Sequence, residues 1–457
     1  MGSKGVNLRE ASLDTILEFE KTKAKSDELI HRFLDSHGEL TGQEKRFYMR
    51  LTKGCIGQLI KLDAVISFYS DTPVNKLRPV IRNILRISAY QLFEMDGVPE
   101  RAVVSEAVKL ARKRGFSSLT GFVNAVLRKM AAEPGRVKLP GKDEPVRYLN
   151  IRYSMPEYLA EKWLKRYGLD TAEKICAAFL DERPVTVRLV RTGRTAEETL
   201  QELQKAGVSA EKAPCPENAF FLKNTPGFAN LAASVKGGLF VQDLSSQLAV
   251  HAAGIRKGGR VLDVCAAPGG KSLLAADILD GTGLVVSRDL TEEKVSRINE
   301  NIQRLGFANI KTEVYDAEVY DKASEKKFDV VLADLPCSGY GVIGRKPDIK
   351  YSASEEKERS LAALQKRILD NACRYVKPGG ILLFSTCTVS ETENEENVTA
   401  FLKDHPEFRP DPLDPYLPEE LRCEESGRGM LQILPDEIKD GFFIARFVNG
   451  YPVDDRG

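Results

Sequence analysis

The sequence has few residues of the kinds that form covalent cross-links or hold metal ions. Its 457 residues include only eight cysteines and four histidines. The two cysteines closest in sequence, Cys373 and Cys387, are 14 positions apart, so no C-x-x-C motif is present for a zinc site or a redox pair. We therefore expect no metal centre and no disulfides. For Cys55, Cys176 and Cys373 we expect buried, inert thiols.

Long apolar segments are also missing. No apolar run approaches the roughly 18 to 20 residues that cross a bilayer, and residues 1–6 lack the apolar core of a signal peptide. The mixture of 42% hydrophobic and 29% charged residues is typical of a globular protein. We expect a monomer in the cytoplasm, with no membrane partner and two to four domains.

Charge is distributed unevenly along the chain, although the net charge is only +1. Residues 1–150 contain 26 Lys and Arg against 18 Asp and Glu, whereas residues 241–457 contain 28 against 37. This basic front, residues 1–150, favours contact with a polyanion such as nucleic acid. The imbalance alone does not distinguish that function from a solvated surface without a partner.

Hydrophobic periodicity divides the chain into three predicted domains, at residues 1–140, 145–236 and 237–450. In the first, apolar residues recur at three- and four-residue spacing, which predicts an all-α domain. Its basic residues are expected to form an exposed face and are Arg78, Arg82, Arg86, Lys109, Arg112, Lys113, Arg114, Arg128 and Lys129. The second domain is predicted to be a small α+β module with helices at 156–166, 171–180 and 195–206 and a strand at 184–190.

The third domain alternates short apolar strands with longer helical patterns, which predicts an α/β, Rossmann-like domain with a mainly parallel sheet covered by helices on both faces. The predicted parallel strands are residues 260–264, 283–287, 310–314, 328–333 and 380–385. A late antiparallel pair is predicted at 430–434 and 441–448. In such sheets, ligands bind at the carboxyl ends of the strands.

The first of these strands runs into the loop Cys265-Ala-Ala-Pro-Gly-Gly-Lys271. This loop is not the G-x-G-x-x-G of dinucleotide-binding proteins, and Cys265 stands where a P-loop needs glycine. Asp263, Asp289 and Asp316 lie at successive strand ends. A turn or helix-cap role remains open for each acid alone. Together they favour an adenosine cofactor without a pyrophosphate, with Asp289 on the ribose and Asp316 at the adenine, and S-adenosylmethionine fits best.

Two further strands end in cysteine-containing segments, Asp334-Leu-Pro-Cys-Ser-Gly339 and Ser385-Thr-Cys-Thr388. The thiols of Cys337 and Cys387 are therefore both expected at the ligand edge of the sheet. The C5 carbon of cytosine is not nucleophilic until a thiolate adds at C6, so methylation at C5 requires such a residue. The pattern indicates covalent catalysis, of the kind that methylation at cytosine C5 requires.

These motifs resemble the RsmB/NOP family of RNA cytosine-C5 methyltransferases, through residues 261–272, 334–348, 385–388, 393–395 and 440–446. The basic front resembles the RNA-binding factor NusB through residues 82–92 and 121–128. The resemblance covers nearly the whole chain. It implies an S-adenosylmethionine-dependent enzyme that methylates a cytidine of 16S ribosomal RNA, with position 967 expected, in a single-stranded or splayed-out segment.

The resemblance also implies roles for individual residues. Cys387 is expected to be the nucleophile, Cys337 to assist release of the methylated base, and Asp334 to hydrogen-bond the cytosine. The expected cofactor-binding residues are Cys265, Ala266, Ala267, Pro268, Gly269, Gly270, Lys271, Asp289, Asp316 and Asp334. Arg288 departs from the small or apolar residue usual before the ribose-binding acid. Methylation of transfer RNA or of another ribosomal cytidine, and a non-enzymatic RNA-binding role, remain alternatives.

Overall fold

A computed structural model describes residues 5–191, 193, 195–225 and 237–450. Within it the chain divides into two compact units. The helical unit contains the described residues up to Leu180 together with Ile343–Ala353, and the sheet unit contains Asp181–Val342 and the described residues from Ser354 onward. None of the helices in these ranges is long and apolar enough to cross a membrane.

The helical unit is all-α in its described part, as the periodicity predicts. Its α-helices are α1 (Leu8–Thr22), α2 (Ser26–Ser36), α3 (Gly42–Gly57), α4 (Leu59–Tyr69), α5 (Pro79–Glu94), α6 (Glu100–Lys113), α7 (Thr120–Ala132), α8 (Pro145–Arg152) and α9 (Glu157–Ala178). Helix α3 begins with a capping box, in which the Thr41 side chain accepts from the Glu44 amide and the Glu44 carboxylate accepts from the Thr41 amide. Helix α9 covers both helices predicted at 156–166 and 171–180, which meet at Gly168 (φ 75°).

The prediction that all the basic residues of this region lie on an exposed face is wrong for Arg86. Its side chain is buried, with Nη2 2.6 Å from Asp63 Oδ2 and Nη1 2.6 Å from Glu20 Oε1. Arg82, on the preceding turn, also pairs with Glu20 at 3.1 Å. The reason is that α5 packs against α1 and α4, which supply these two acids. Exposed members of the set are Arg78, Lys109, Arg112, Lys113, Arg128 and Lys129.

Residues Ile343–Ala353 belong to the helical unit although they follow a strand of the sheet unit. Lys350 is buried, and its Nζ donates to the carbonyl of Gly57 at 2.6 Å. The Tyr351 hydroxyl donates to the carbonyl of Ile56 at the same distance. These bonds satisfy carbonyls in the last turn of α3, which have no partner within the helix.

The sheet unit contains a small antiparallel sheet with the strand order β2-β3-β1-β4. Its elements are β1 (Val185–Leu189), α10 (Ala196–Lys205), β2 (Ser209–Lys212), β3 (Ala219–Lys223) and β4 (Leu239–Val241). The strand predicted at 184–190 and the helix predicted at 195–206 are confirmed. The periodicity does not predict β2, because its sequence, Ser-Ala-Glu-Lys, is polar and mostly exposed. Residues 226–236 of the predicted module lie outside the described residues.

The larger sheet has the strand order β10-β12-β9-β8-β5-β6-β7, with β11 paired to β12. Its strands are β5 (Arg260–Asp263), β6 (Leu284–Asp289), β7 (Ile310–Val314), β8 (Phe328–Asp334), β9 (Val376–Thr386), β10 (Phe408–Pro410), β11 (Met430–Ile433) and β12 (Phe442–Asn449). Strands β5 to β9 pair in parallel, and β10, β11 and β12 pair antiparallel. The predicted parallel sheet and its late antiparallel pair are therefore confirmed.

Helices of the sheet unit lie between these strands. They are α11 (Leu244–Ala252), α12 (Gly270–Leu279), α13 (Glu292–Leu305), α14 (Glu355–Ala372), α15 (Glu395–Asp404) and α16 (Glu424–Gly427). Two apolar clusters result, one containing Leu273 and Leu332 and the other containing Leu262, Leu369 and Phe384. Neighbouring residues of β5, such as Val261 and Leu262, point into different clusters, as expected for a sheet buried on both faces.

Candidate active site

The loop after β5 turns sharply into helix α12. Gly269 has φ +104°, a conformation that side-chain-bearing residues rarely adopt, and a Cβ at this position would lie 3.2 Å from Ile298. The loop is tied to β6, since the Ala266 amide donates to the carbonyl of Arg288 at 2.8 Å. The glycines therefore place this backbone, and the amino end of α12, close to the ends of the neighbouring strands.

Asp263 and Asp289 are the buried acids of this region. Asp289 Oδ2 accepts from the Ala267 amide at 2.8 Å, and its Oδ1 accepts from the Leu290 amide and from Lys294 Nζ. Asp263 Oδ2 accepts from the Ser272 hydroxyl at 2.7 Å, but its Oδ1 is buried without a hydrogen-bond partner among the described residues. Burial raises the pKa of Asp263 to about 7.

Asp316 differs from these two acids because it is exposed. Its Oδ1 accepts from the Glu318 amide at 2.9 Å, a turn contact. The preceding residue, Tyr315, donates its amide to the carbonyl of Asp289 at 2.9 Å. The structure thus joins the segment containing Asp316 to the end of β6, while the Asp316 carboxylate faces solvent.

Asp334, at the end of β8, lies between a cation and a hydroxyl. Lys271 Nζ is 2.6 Å from Asp334 Oδ2, and the Ser385 hydroxyl donates to Asp334 Oδ1 at 2.8 Å. Burial lowers the pKa of Lys271, but the Asp334 charge and hydrogen bond outweigh it and the pKa is raised overall. Lys271 is therefore held as a cation, and it links the loop after β5 to the end of β8.

The thiols of Cys337 and Cys387 are neighbours. Their Sγ atoms are 3.3 Å apart, within hydrogen-bonding distance for sulfur. The pKa of Cys337 is raised well above its usual range, first by this hydrogen bond with Cys387 and then by burial. Cys265, by contrast, has its pKa raised mainly by burial, which keeps it a protonated thiol. The structure thus brings together the two thiols that the sequence predicts at this edge of the sheet.

Backbone and side-chain bonds fix the two cysteine segments against each other. The Gly341 amide donates to the carbonyl of Cys387, and the Gly441 amide donates to the carbonyl of Gly341, each at 3.0 Å. A Cβ on Gly341 would lie 1.9 Å from the Gly441 carbonyl oxygen, so only glycine fits there. The Ser338 and Thr388 hydroxyls, each one residue after a cysteine, are 2.6 Å apart.

Sequence reasoning did not assign roles to the polar residues around the cysteines. Ser338, Thr388, Gln365 and Glu393 are all buried and contact one another or the cysteine segments. Glu393 lies in the Glu-Asn-Glu stretch that carries part of the family resemblance. The sequence pattern gives no sign that this residue contacts a cysteine segment. Gln365 lies in the middle of α14, and the neighbouring sequence gives no sign of its contacts.

Three families match consecutive parts of the chain. The NusB family matches residues 6–132, a ferredoxin-like domain of RsmF/B-like methyltransferases matches residues 155–227, and the family described as 16S rRNA methyltransferase RsmB/F matches residues 252–448. The last range contains the loop after β5 and both cysteine segments.

Whole-length similarities follow the same pattern. The chain is 37% identical over 445 residues to a probable ribosomal RNA small subunit methyltransferase B of Bacillus subtilis, covering 96% of this chain and 98% of that protein. It is 32% identical over 409 residues to the ribosomal RNA small subunit methyltransferase B of Vibrio cholerae, covering 86% of each. The crystal structure of PH0851 shares the fold, with a TM-score of 0.78 and 24% identity over 97% of this chain and 99% of that one.

Proposed function

Because the chain belongs to the 16S rRNA methyltransferase RsmB/F family, we propose that it transfers a methyl group from S-adenosylmethionine to C5 of a cytidine in 16S ribosomal RNA. The observation that carries the cytosine-C5 chemistry is the pair of thiols, Cys337 and Cys387, 3.3 Å apart beside Asp334. Methylation of an oxygen or an exocyclic nitrogen does not require a thiol nucleophile, whereas methylation of cytosine C5 does.

The residues of the loop after β5 fit the cofactor. The backbone of Cys265, Ala266, Ala267, Pro268, Gly269, Gly270 and Lys271 would surround it. Asp289 would accept hydrogen bonds from the ribose, and Asp316 would lie at the adenine. When bound, S-adenosylmethionine supplies an electrophilic methyl group, so the protein's own residues need only bring the base to a reactive state.

Cys387 is the nucleophile in this proposal. Its sulfur lies 3.3 Å from that of Cys337, and its thiolate is the attacking form. Addition of the Cys387 thiolate forms a bond from sulfur to C6 and moves the C5–C6 π electrons to C5. The ring nitrogen N3 takes up a proton from solvent, and Asp334 hydrogen-bonds the ring as the adduct forms.

Cys337 acts in the second half of the reaction. After Cys387 has bonded to C6, Cys337 loses its proton to solvent and acts as the base in its thiolate form. It removes the proton from the methylated C5, the electron pair re-forms the C5=C6 bond, and the bond from C6 to Cys387 breaks. Cys387 leaves as a thiolate and N3 returns its proton to solvent, so the free enzyme is restored.

The test is denaturing electrophoresis with labelled RNA, cofactor and two variants. Cys387→Ala should form no covalent RNA complex and no product. Cys337→Ala should still attack and then accumulate an adduct that survives denaturation. An adduct from Cys387→Ala and none from Cys337→Ala would overturn the assignment.

The substrate is tested separately. Bisulfite sequencing of ribosomal and transfer RNA from cells with and without this protein should show loss of one 5-methylcytosine in 16S RNA, with position 967 expected. Loss of a transfer RNA signal with 16S RNA unchanged would contradict the proposed substrate while leaving the chemistry intact. The helical unit, with exposed cations such as Arg112 and Arg128, would help to hold the RNA through its phosphates.

A further inference from the structure

Glu393 is a fully buried carboxyl group that the proposed reaction does not use. Its residue is 0% exposed. Its Oε2 accepts from the backbone amide of Ser338 at 2.9 Å and from Gln365 Nε2 at 3.0 Å. Ser338 directly follows Cys337, so this carboxyl group holds the peptide on the carboxyl side of that cysteine.

Gln365 holds the peptide on the other side. Its Nε2 also donates to the carbonyl of Pro336 at 2.8 Å. Its Oε1 accepts from Asn397 Nδ2 at 2.8 Å, which fixes the orientation of the amide. The backbone is therefore bonded immediately before and immediately after Cys337 by two side chains that bond to each other.

The held segment is also coupled to the one that carries the second thiol. The Ser338 hydroxyl bonds to Thr388 Oγ1 at 2.6 Å, and the Tyr340 amide donates to the same oxygen at 3.2 Å. Thr388 directly follows Cys387. A shift of Ser338 would thus change the distance between the two sulfurs.

The charge at Glu393 acts on the same thiol. After the hydrogen bond with Cys387 and burial, the raised pKa of Cys337 also reflects the negative charges of Cys387, Glu393 and Asp334. Burial raises the pKa of Glu393 itself, against the hydrogen bonds from Ser338 and Gln365. Its Oε1 has no hydrogen-bond partner among the described residues. A glutamine at this position therefore keeps the acceptor and the shape while removing the charge.

We propose that Glu393 and Gln365 are positioning residues that clamp the backbone on both sides of Cys337 and so set its sulfur against that of Cys387. The mechanistic consequence rests on the proposed function: if the sulfur of Cys337 is displaced, attack by Cys387 continues while removal of the C5 proton slows. The clamp acts through Cys337 and does not touch the substrate.

The distance between the sulfurs has a readout that is independent of RNA. Phenylarsine oxide bonds two neighbouring thiols at once, with loss of one water and no change in oxidation state of the sulfurs. It should bind the full-length protein at Cys337 and Cys387, with Cys337→Ser as the background for the other cysteines. Glu393→Met, which is similar in length but has no acceptor, should weaken this binding by roughly tenfold or more. Glu393→Gln should bind like the unmodified protein.

Kinetic partition gives the second readout. With labelled RNA and cofactor, Glu393→Met and Gln365→Met should accumulate the covalent RNA adduct and release product at least roughly tenfold more slowly, while cofactor affinity stays within about twofold. Glu393→Gln should restore most of the release rate. Glu396→Met, on the exposed side of α15, is the matched control and should behave as the unmodified protein.

The outcomes separate this inference from the proposed function. If the unmodified protein and Cys337→Ala form no adduct, the chemistry fails, and the arsenical binding alone still tests the clamp. The clamp is overturned if Glu393→Met binds the arsenical and releases product like the unmodified protein. It is also overturned if Glu393→Met loses cofactor binding to the same degree as release, since that pattern indicates general damage to the fold.

Discussion

A buried charged network in the helical unit differs from two buried carboxyl groups in the sheet unit. In the helical unit, Arg86 is paired with both Glu20 and Asp63, and the pKa of Arg86 is raised because these bonds outweigh burial. In the sheet unit, Asp263 and Glu393 each keep one oxygen without a partner among the described residues. Buried Arg86 joins three helices of the helical unit, whereas the two carboxyl groups of the sheet unit bond to the helix after β5 and to the segment that carries Cys337.

The pKa directions of the carboxyl groups follow this division. Burial raises the pKa of Glu20, but the hydrogen bond from Asn83 and the charge of Arg86 outweigh burial and lower the pKa overall, so the charged form is favoured. Burial dominates for Asp263 and for Glu393, whose pKa values are raised. Perturbation of this second kind, by desolvation, often occurs at functional sites. The comparison therefore predicts stability effects from one unit and effects on binding or rate from the other.

The largest expected effect comes from breaking the paired network. Arg86→Met would remove the cation that Glu20 and Asp63 share, which costs about 3 kcal/mol of unfolding free energy, the low end of the range for a buried pair, because both acids are partly exposed and Glu20 keeps Arg82. Thermal and urea unfolding should show this loss. Cofactor affinity of the folded variant, measured by calorimetry, should remain unchanged. Arg78→Met removes an exposed cation just before the same helix and serves as the control; an equal loss there would contradict the role of burial.

The next effect sharpens the sheet-unit side of the comparison. Asp289→Ala removes the expected ribose acceptor, worth about 1.5 to 3 kcal/mol as a charge-assisted hydrogen bond. Affinity for S-adenosylmethionine should fall by roughly 10- to 150-fold. Asp316→Ala, at an exposed carboxylate, should weaken binding by only a few fold. Unchanged affinity of Asp289→Ala by calorimetry would remove the ribose assignment.

Lys350 differs from Arg86 within the helical unit, because its pKa is lowered rather than raised. Burial lowers its pKa to about 7 from a usual value near 10.5. Between these pH values the unfolded chain binds more protons than the folded one, so the unfolding free energy should rise with pH, by up to about 1.4 kcal/mol per pH unit. Urea unfolding at pH 7 and pH 8.5 should show this rise in the unmodified protein and a smaller one in Lys350→Met. Equal slopes in the two proteins would contradict a lowered pKa of Lys350.

The smallest expected effect concerns exposed charge. If Arg112 and Arg128 bind RNA phosphates, replacing both with alanine should weaken RNA binding several fold and reduce the salt slope by about 0.7 for each phosphate that these two residues neutralise. Filter binding at several salt concentrations measures both quantities. Arg256→Ala with Arg260→Ala removes the same charge near the amino end of β5, and it should leave the slope unaltered. A change of equal size in both pairs would mean that the two units hold RNA alike.

Much of the fold could be predicted because short apolar runs and helical periodicity recur along the chain. The predicted parallel strands agree with the observed ones to within a few residues at their ends, since each is a short apolar run between helical patterns. The periodicity does not predict β2, β3, β4 and β10. Of these, β2, β4 and β10 have only three or four residues, which is too short to show a periodic pattern. The position of Ile343–Ala353 in the helical unit has no local signal either, because it depends on contacts such as that of Lys350 with Gly57.

The motifs at the strand ends can be recognised in the sequence, and they predict which residues lie at the carboxyl edge of the sheet. Asp289, Asp334, Cys337 and Cys387 lie there because the carboxyl ends of parallel strands share one edge. Which atoms touch depends instead on packing between distant parts of the chain. The pairing of Lys271 with Asp334, the 3.3 Å between the two sulfurs and the bonds of Glu393 and Gln365 around Cys337 all join residues far apart in sequence. Tertiary packing also buries Arg86 and leaves Arg112 exposed. The sequence around a basic residue does not indicate whether its side chain will lie on a buried or an exposed face.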